Sequence, residues 1–340
     1  IGGEWVANAQ ELFAMTCVDG VLKLDLTKMA DDASSAIETD TAQYRRTGVN
    51  LVGVAEKGPF HHGATIRVVE LDSMMRLADS RRSFETCVSS ANGAYAFSNV
   101  NLVSPYVRVE ANGYYRNELT GGLSTSLIKL NAVTDLNNRD TVNVNMLTHL
   151  TSPRTLKLIE DSGNNQPIGA MGARALNEVL SAFEINLGGG GGNNGGGFGG
   201  GWGFGNQMFQ NPTTSGKYAE DITLFDGDDY SAALLAVSIM MQSAGSVNDM
   251  LYLAGQISED IRGDGNWGDN STKAKIADKL MVLDTSGGFE TIRKNIASWK
   301  LGEVPDFEKY VRAFWTKVHG FESCNAMTAG QLKHIGNSMS

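Results

Sequence analysis

The residues best placed by type and spacing to do chemistry form a short acidic loop, Asp260-Ile-Arg-Gly-Asp264-Gly-Asn266-Trp-Gly-Asp269. Oxygen side chains at alternate positions around a glycine are how a calcium loop wraps a hard cation. Counted from Asp260, this loop has acids at positions one and five and glycine at six. Arg262 stands at position three and Ser271 at position twelve, where such a loop supplies an oxygen ligand and a bidentate glutamate. The favoured reading is therefore an Asx-rich turn that caps the next helix. Asp260, Asp264, Asn266 and Asp269 remain a secondary candidate set for calcium, the one cofactor the sequence suggests. Asp226-Gly-Asp228-Asp229 reads the same way, as carboxylates capping a helix that starts near Tyr230.

Other chemistry is sparse. His61-His62 falls between two strand-like runs, and adjacent strand residues point to opposite faces, which disfavours chelation of one metal. His149 lies where a strand pattern gives way to a helical one and reads as a packing residue. No serine, cysteine or threonine sits in a nucleophile setting such as GxSxG, and HExxH and GxxxxGK[ST] do not occur. The expectation is a protein that is not an enzyme.

Cys17, Cys87 and Cys324 are too few for a disulfide scaffold and lack zinc-site spacing. A Cys17–Cys324 bridge in an oxidising compartment is the candidate pairing, with one thiol left over. Asn270-Ser-Thr fits the N-x-[ST] acceptor pattern. Thr41, Ser73 and Thr141 follow aspartate and precede an apolar residue, a pattern resembling bacterial O-glycosylation sites. Aromatic residues are the remaining candidates for contact with other molecules. Phe198, Trp202, Phe204 and Phe209 punctuate and follow a tract, Gly188–Gly205, in which thirteen of eighteen residues are glycine. Glycine lets a backbone approach a surface closely while the rings supply buried area, so these four are candidates for an interface or ligand contact. Trp267, Tyr114 and Tyr115 join Trp202 and Phe204 as possible stacking platforms for sugar rings.

The elements that must carry these residues divide the chain. Residues 1–47 read as an arm with one strand-like run, Gly20–Leu26. From Gly48 to Val144 short alternating runs are separated by Gly, Asn and Pro: 49–55, 65–71, 83–89, 95–100, 106–111, 127–131 and 141–144. Period-two burial with regular turns predicts an antiparallel β-sandwich over residues 48–146. After that the pattern turns helical, with helices expected at 146–160, 168–183, 229–242, 247–261, 271–283, 289–299 and 307–318. Ser246, Asn270 and Asp306 are the expected caps. The fold class is thus α+β and multidomain: a β-sandwich, then an α-helical bundle over 147–340, interrupted by the glycine-rich loop.

Several segments together resemble known proteins. Gly53-Val-Ala-Glu-Lys-Gly-Pro-Phe60, Gly63-Ala-Thr-Ile-Arg-Val, Asn92-Gly-Ala-Tyr-Ala-Phe97 and Val107-Arg-Val-Glu-Ala-Asn-Gly-Tyr114 are similar to the carboxypeptidase regulatory-like, prealbumin-type β-sandwich. Downstream, Asn143-Val-Asn-Met-Leu-Thr-His-Leu150, Ile261-Arg-Gly-Asp-Gly-Asn-Trp-Gly-Asp269 and Val304-Pro-Asp-Phe-Glu-Lys-Tyr310 resemble paralogous secreted or lipoprotein-type surface proteins of Gram-negative fibre-degrading bacteria. The resemblance implies a non-catalytic protein outside the cytoplasm. The long glycine tract departs from that pattern.

At 340 residues and a formal charge of −10, the chain is acidic and shows no basic run. That disfavours nucleic acid, which is gripped through phosphates by Lys and Arg. No apolar run approaches the roughly 20 residues that span a bilayer. The first residue is Ile1, which fits a mature form after removal of a secretory signal. These readings converge on a structural protein of the cell exterior or outer surface whose partner is itself, as a filament or sheath subunit. A polysaccharide-binding or adhesion module is the second expectation.

Overall fold

The computed structural model describes residues 15–18, 21–24, 46–72, 74–76, 82–163, 166–187 and 217–321, the first two segments as backbone only. The fold is mixed α and β. In the arm, β1 (Met15–Val18) and β2 (Val21–Leu24) pair with each other as an antiparallel hairpin, so the strand-like run expected at 20–26 has a local partner. Seven strands follow: β3 (Arg46–Glu56), β4 (Thr65–Glu70), β5 (Ser83–Cys87), β6 (Ala94–Leu102), β7 (Tyr106–Gly113), β8 (Ile128–Asp135) and β9 (Val144–Asn145). They form a three-stranded sheet, β6-β3-β9, and a four-stranded sheet, β5-β4-β7-β8.

Alternation explains the sheets. Ile66, Val68, Val107, Val109, Ala111, Leu130 and Ala132 lie on one face of the four-stranded sheet, and Leu51, Tyr95 and Phe97 on one face of the other. All belong to one apolar cluster. Burying a period-two stripe against a second sheet removes apolar area from water without exposing unpaired backbone.

One strand breaks the expected all-antiparallel pairing. β9 runs parallel to β3, with Ala55 opposite Val144 and Glu56 opposite Asn145, and Thr141 makes a further parallel bridge to Val52. The chain leaves β8 in one sheet and crosses to the edge of the other before entering its first helix, and that crossover sets the direction. Gly53 makes the pairing possible: a β-carbon there would lie 1.8 Å from the Val142 carbonyl oxygen. Gly93 serves the turn before β6 at φ +84°, with the Ala55 carbonyl oxygen 2.4 Å from where its β-carbon would stand.

Seven α-helices are described: α1 (Met146–Asp161), α2 (Ile168–Ala182), α3 (Asp229–Gln242), α4 (Val247–Asp264), α5 (Asn270–Thr285), α6 (Gly288–Ser298) and α7 (Glu308–Val318). Asn145 ends β9 and caps α1, accepting from Thr148 N at 2.9 Å while its own N–H donates to Thr148 Oγ1. Ser246 and Asp249 form the expected reciprocal box on α4, and Asp228 caps α3. Two expected caps shift. Asp269, not Asn270, caps α5, because its carboxylate is the one within reach of Thr272 N. Asp306 caps nothing; it pairs with Arg293, and α7 starts without a side-chain cap.

Every residue of α3 from Ser231 to Gln242 is buried, which identifies it as the central helix, touched by α1, α4 and α7. The apolar cluster runs without a break from Val49 in β3 to Trp315 in α7. Among the described residues no single helix is long and apolar enough to cross a membrane; α3 and α4 pass only as a pair bent by 114°.

Candidate functional site

The outer face of the four-stranded sheet is only partly covered. Val133 on β8 packs with Leu71, Met75, Ile159 of α1 and Ile168 of α2 in a small second apolar cluster. Beside this cluster a cleft of about 650 Å³ opens between sheet and helices. Arg108, Asn131 and Val133 form its floor, because in an antiparallel pair residues of like parity share a face. One wall is α1, through Pro153, Leu156 and Lys157, and a second is the end of α4, through Glu259 and Arg262. The third is Met74-Met75-Arg76. Met75 holds φ at +61°, an uncommon conformation for a side chain other than Gly or Asn, and buries its thioether in the second cluster.

Two arrangements hold the walls. Pro153 offers no N–H to the His149 carbonyl four residues back, so α1 is locally released from its own ladder. Next to it, Arg154 is buried and binds Glu178 of α2 through Nε at 2.6 Å and Nη2 at 3.2 Å. Its Nη1 donates to the carbonyls of Arg262 and Gly263, both at 3.0 Å, which fixes the end of α4 against α1.

The cations around the cleft differ in how they are engaged. Lys157 is held by Asp161 at 2.7 Å, Arg262 by Glu259 at 3.1 Å and Arg76 by Asp72 at 2.9 Å. Arg108 gives only Nε, to Glu110 at 3.0 Å. Its two terminal nitrogens make no hydrogen bond among the described residues, and Asn131 Oδ1 is buried without a partner. A free guanidinium fork and an unfilled acceptor thus share one floor.

The polar groups of the interior are arranged differently. Lys57 and Glu118 are each 0% exposed, and Lys57 Nζ donates to both carboxylate oxygens at 3.0 and 2.9 Å. Ser238 of α3 lies 2.7 Å from Glu118 Oε1 and 2.5 Å from the Lys57 carbonyl oxygen. The Tyr115 ring lies 5.3 Å from the ammonium, and its hydroxyl donates to Gln242 Oε1 at 2.6 Å. Burial pushes the Lys57 amine down while Glu118 opposes that shift. Glu56, also buried, accepts from Leu224 N at 2.9 Å. Burial, with the nearby Asp226 charge adding to it, pushes its carboxyl up to about 8, so it is largely protonated at neutral pH. His149 is half-buried, its Nδ1 is enclosed without a partner, and desolvation lowers it to about 4.

In the acidic loop the carboxylates are engaged by nearby backbone N–H groups. Asp260 Oδ2 accepts from Gly268 N at 2.7 Å, Asp264 Oδ1 from Asn266 N at 2.9 Å, and Asp269 Oδ1 from Thr272 N at 3.0 Å. Each carboxylate serves its own loop's backbone, and Asn266 is a donor within it. These bonds hold the Asp264 and Asp269 carboxyls below the usual range, the first through Asn266 and the second through Thr272. Among the described residues, no three His, Cys, Asp or Glu side chains gather where one metal ion would sit.

Two of the stacking candidates are removed by burial. Trp267 is 4% exposed, stacked 6.2 Å from Phe314 and 5.4 Å from Phe183, and Tyr115 is fully buried. Tyr114, 42% exposed, stays at the surface. Asn270 and Thr141 are exposed, and Cys87 is an exposed free thiol. His61 and His62 are exposed in their turn, with His61 Nδ1 3.0 Å from the His62 carbonyl oxygen. Phe198, Trp202, Phe204, Phe209, Thr41, Ser73, Cys324 and the Cys17 side chain lie outside the described residues.

Arg108, Asn131 and Lys57–Glu118 were not singled out by sequence. Alternation in Val107-Arg-Val-Glu does place Arg108 opposite the core, but which elements wall that face depends on residues from 32 positions away (Arg76) to 154 (Arg262). No family model, curated protein or solved structure matches the chain.

Proposed function

We propose that the chain is a non-catalytic structural protein of the cell exterior that associates with copies of itself. In this reading the two sheets are a prealbumin-type sandwich and the seven helices a bundle built onto it. The observation that supports self-association is the edge of β6. This nine-residue strand has β3 as its one neighbour, and its other edge carries no strand pairing among the described residues. Its sheet also turns a face of small side chains outward: Ala96 and Ser98, beside Val52, which is 45% exposed at the middle of β3. An open edge accepts a strand from another chain through main-chain hydrogen bonds, and Ala94–Phe97, before the left-handed Asn99 and the register shifts opposite it, is the regular stretch of this one. The arm, with its own strand-forming sequence, is the candidate donor.

Electron microscopy and light scattering of the purified full chain test the reading. Regular polymers are expected, and deleting residues 1–30 is expected to abolish them while far-UV circular dichroism stays that of a folded protein. Unaltered polymers after the deletion would remove the arm from the scheme; a wild-type chain that stays monomeric at high concentration would end the self-association reading.

A further inference from the structure

We infer that the cleft between the outer face of the four-stranded sheet and α1 binds an acidic sugar, a hexuronate unit of a polysaccharide. The inference rests on the floor and walls of that cleft and is independent of self-association through β6. Its volume, about 650 Å³, lies in the range of small-molecule sites.

Three features of the cleft each select part of the ligand. The terminal nitrogens of Arg108 present a planar fork without a partner, which is matched by a carboxylate held through two parallel hydrogen bonds. Asn131 lines the same floor with its Oδ1 unpartnered and closed off behind the cleft, so a turn of the amide that brings Oδ1 to a ligand hydroxyl relieves an unpaired buried acceptor and contributes specificity. Met75, Val133, Pro153 and Leu156 supply apolar surface, against which a flat array of C–H groups rests. A pyranose uronate carries all three: carboxylate, hydroxyls and a C–H face. A fatty acid has no hydroxyl for Asn131, inorganic phosphate has no apolar face, and a neutral sugar leaves Arg108 unfilled.

The cleft is lined by Arg76, Arg108, Lys157 and Arg262 against Glu160 and Glu259, and each of the four cations has a carboxylate partner, Asp72, Glu110, Asp161 and Glu259 respectively. What sets Arg108 apart is the two terminal nitrogens it has left over, so the selection lies in that fork and not in a net positive field. The methionine wall adds adaptability, since thioether chains repack around ligands of different outline.

The test is calorimetric titration of the full chain with trigalacturonate, galacturonic acid, cellotriose and sodium acetate at low salt. Saturable heat is expected with trigalacturonate, with weaker binding of the monomer and none of cellotriose or acetate. Arg108→Gln is expected to weaken trigalacturonate by about tenfold or more, the scale of a lost charge-assisted pair, and Asn131→Leu by a smaller factor. Both side chains face the cleft, and circular dichroism checks that the variants fold. No heat with trigalacturonate overturns the inference, as does equal binding of cellotriose or acetate. Affinity unchanged in both variants places any binding elsewhere and overturns it too. Polymer formation by Arg108→Gln, followed in parallel, keeps this outcome distinct from that of the self-association reading.

Discussion

The Lys57–Glu118 pair and the Arg108–Asn131 floor put cation and oxygen acceptor to opposite uses. In the interior pair the charges are matched atom for atom: the ammonium reaches both carboxylate oxygens, Ser238 approaches one of them, and the Tyr115 ring lies alongside. On the cleft floor the guanidinium engages one carboxylate through one nitrogen, and the amide oxygen is unfilled. A saturated buried pair has nothing left to offer a ligand, whereas an unsaturated one beside open volume does. Matching of partners, more than burial or charge alone, separates a structural polar cluster from a binding one.

The largest effect that would break this contrast is at Glu118. Replacing it with alanine strands an ammonium in the core, and a cost of roughly 3–5 kcal/mol is expected in denaturant unfolding. Lys57→Met with Glu118→Leu is expected to recover most of that loss, because apolar residues of similar volume need no partner. A Glu118→Ala cost below about 1 kcal/mol would show that water reaches the pair, since exposed pairs contribute no more than that.

Glu56 sharpens the interior side through pH. The folded carboxyl titrates near 8 and the unfolded one near 4.5, so between those values the native state holds the extra proton. Stability therefore falls as pH rises across that window, by an amount on the order of a few kcal/mol, and is level above it. His149 works against this below neutrality. Its folded value near 4 lies under the unfolded 6.5, so its contribution is present above pH 6.5 and lost as pH falls toward 4. His149 adds no slope above about pH 6.5, so the Glu56 decline is read between about pH 6.5 and 8 as the difference between the wild type and a Glu56 variant. Thermal midpoints of Glu56→Gln, which keeps an acceptor for Leu224 N, are expected to lose the decline with rising pH; a parallel decline in both proteins would assign it elsewhere.

The smallest stability effect belongs to the cleft. Arg108→Gln is expected to change unfolding free energy by less than about 0.5 kcal/mol, as for surface changes away from special features. A much larger loss would make Arg108 a structural residue like Lys57.

Much of the framework was readable from residue order. Alternation located the seven strands of the two sheets, and 3.6-residue spacing located the helices, because both periodicities follow from local backbone geometry. Ser246-Val-Asn-Asp249 announced the start of α4, since capping involves residues three apart. The parallel direction of β9 was not visible: it follows from a crossover that brings Val144 beside Ala55, and Gly53 marked it only once Val142 was known to lie there. Trp267 looked available and is buried, because one aromatic residue serves a core or a ligand equally well until its neighbours are fixed.

Residue order by itself determined which faces are apolar, where elements begin and end, and that the acidic loop would spend its carboxylates on nearby N–H groups. All of these depend on partners a few positions away. Tertiary structure alone decided that Lys57 meets Glu118 and Ser238, and that Arg108 and Asn131 face an open cleft walled by α1 and α4. Those outcomes depend on desolvation and on complementary partners brought together from distant parts of the chain, and desolvation is a property of the packed molecule.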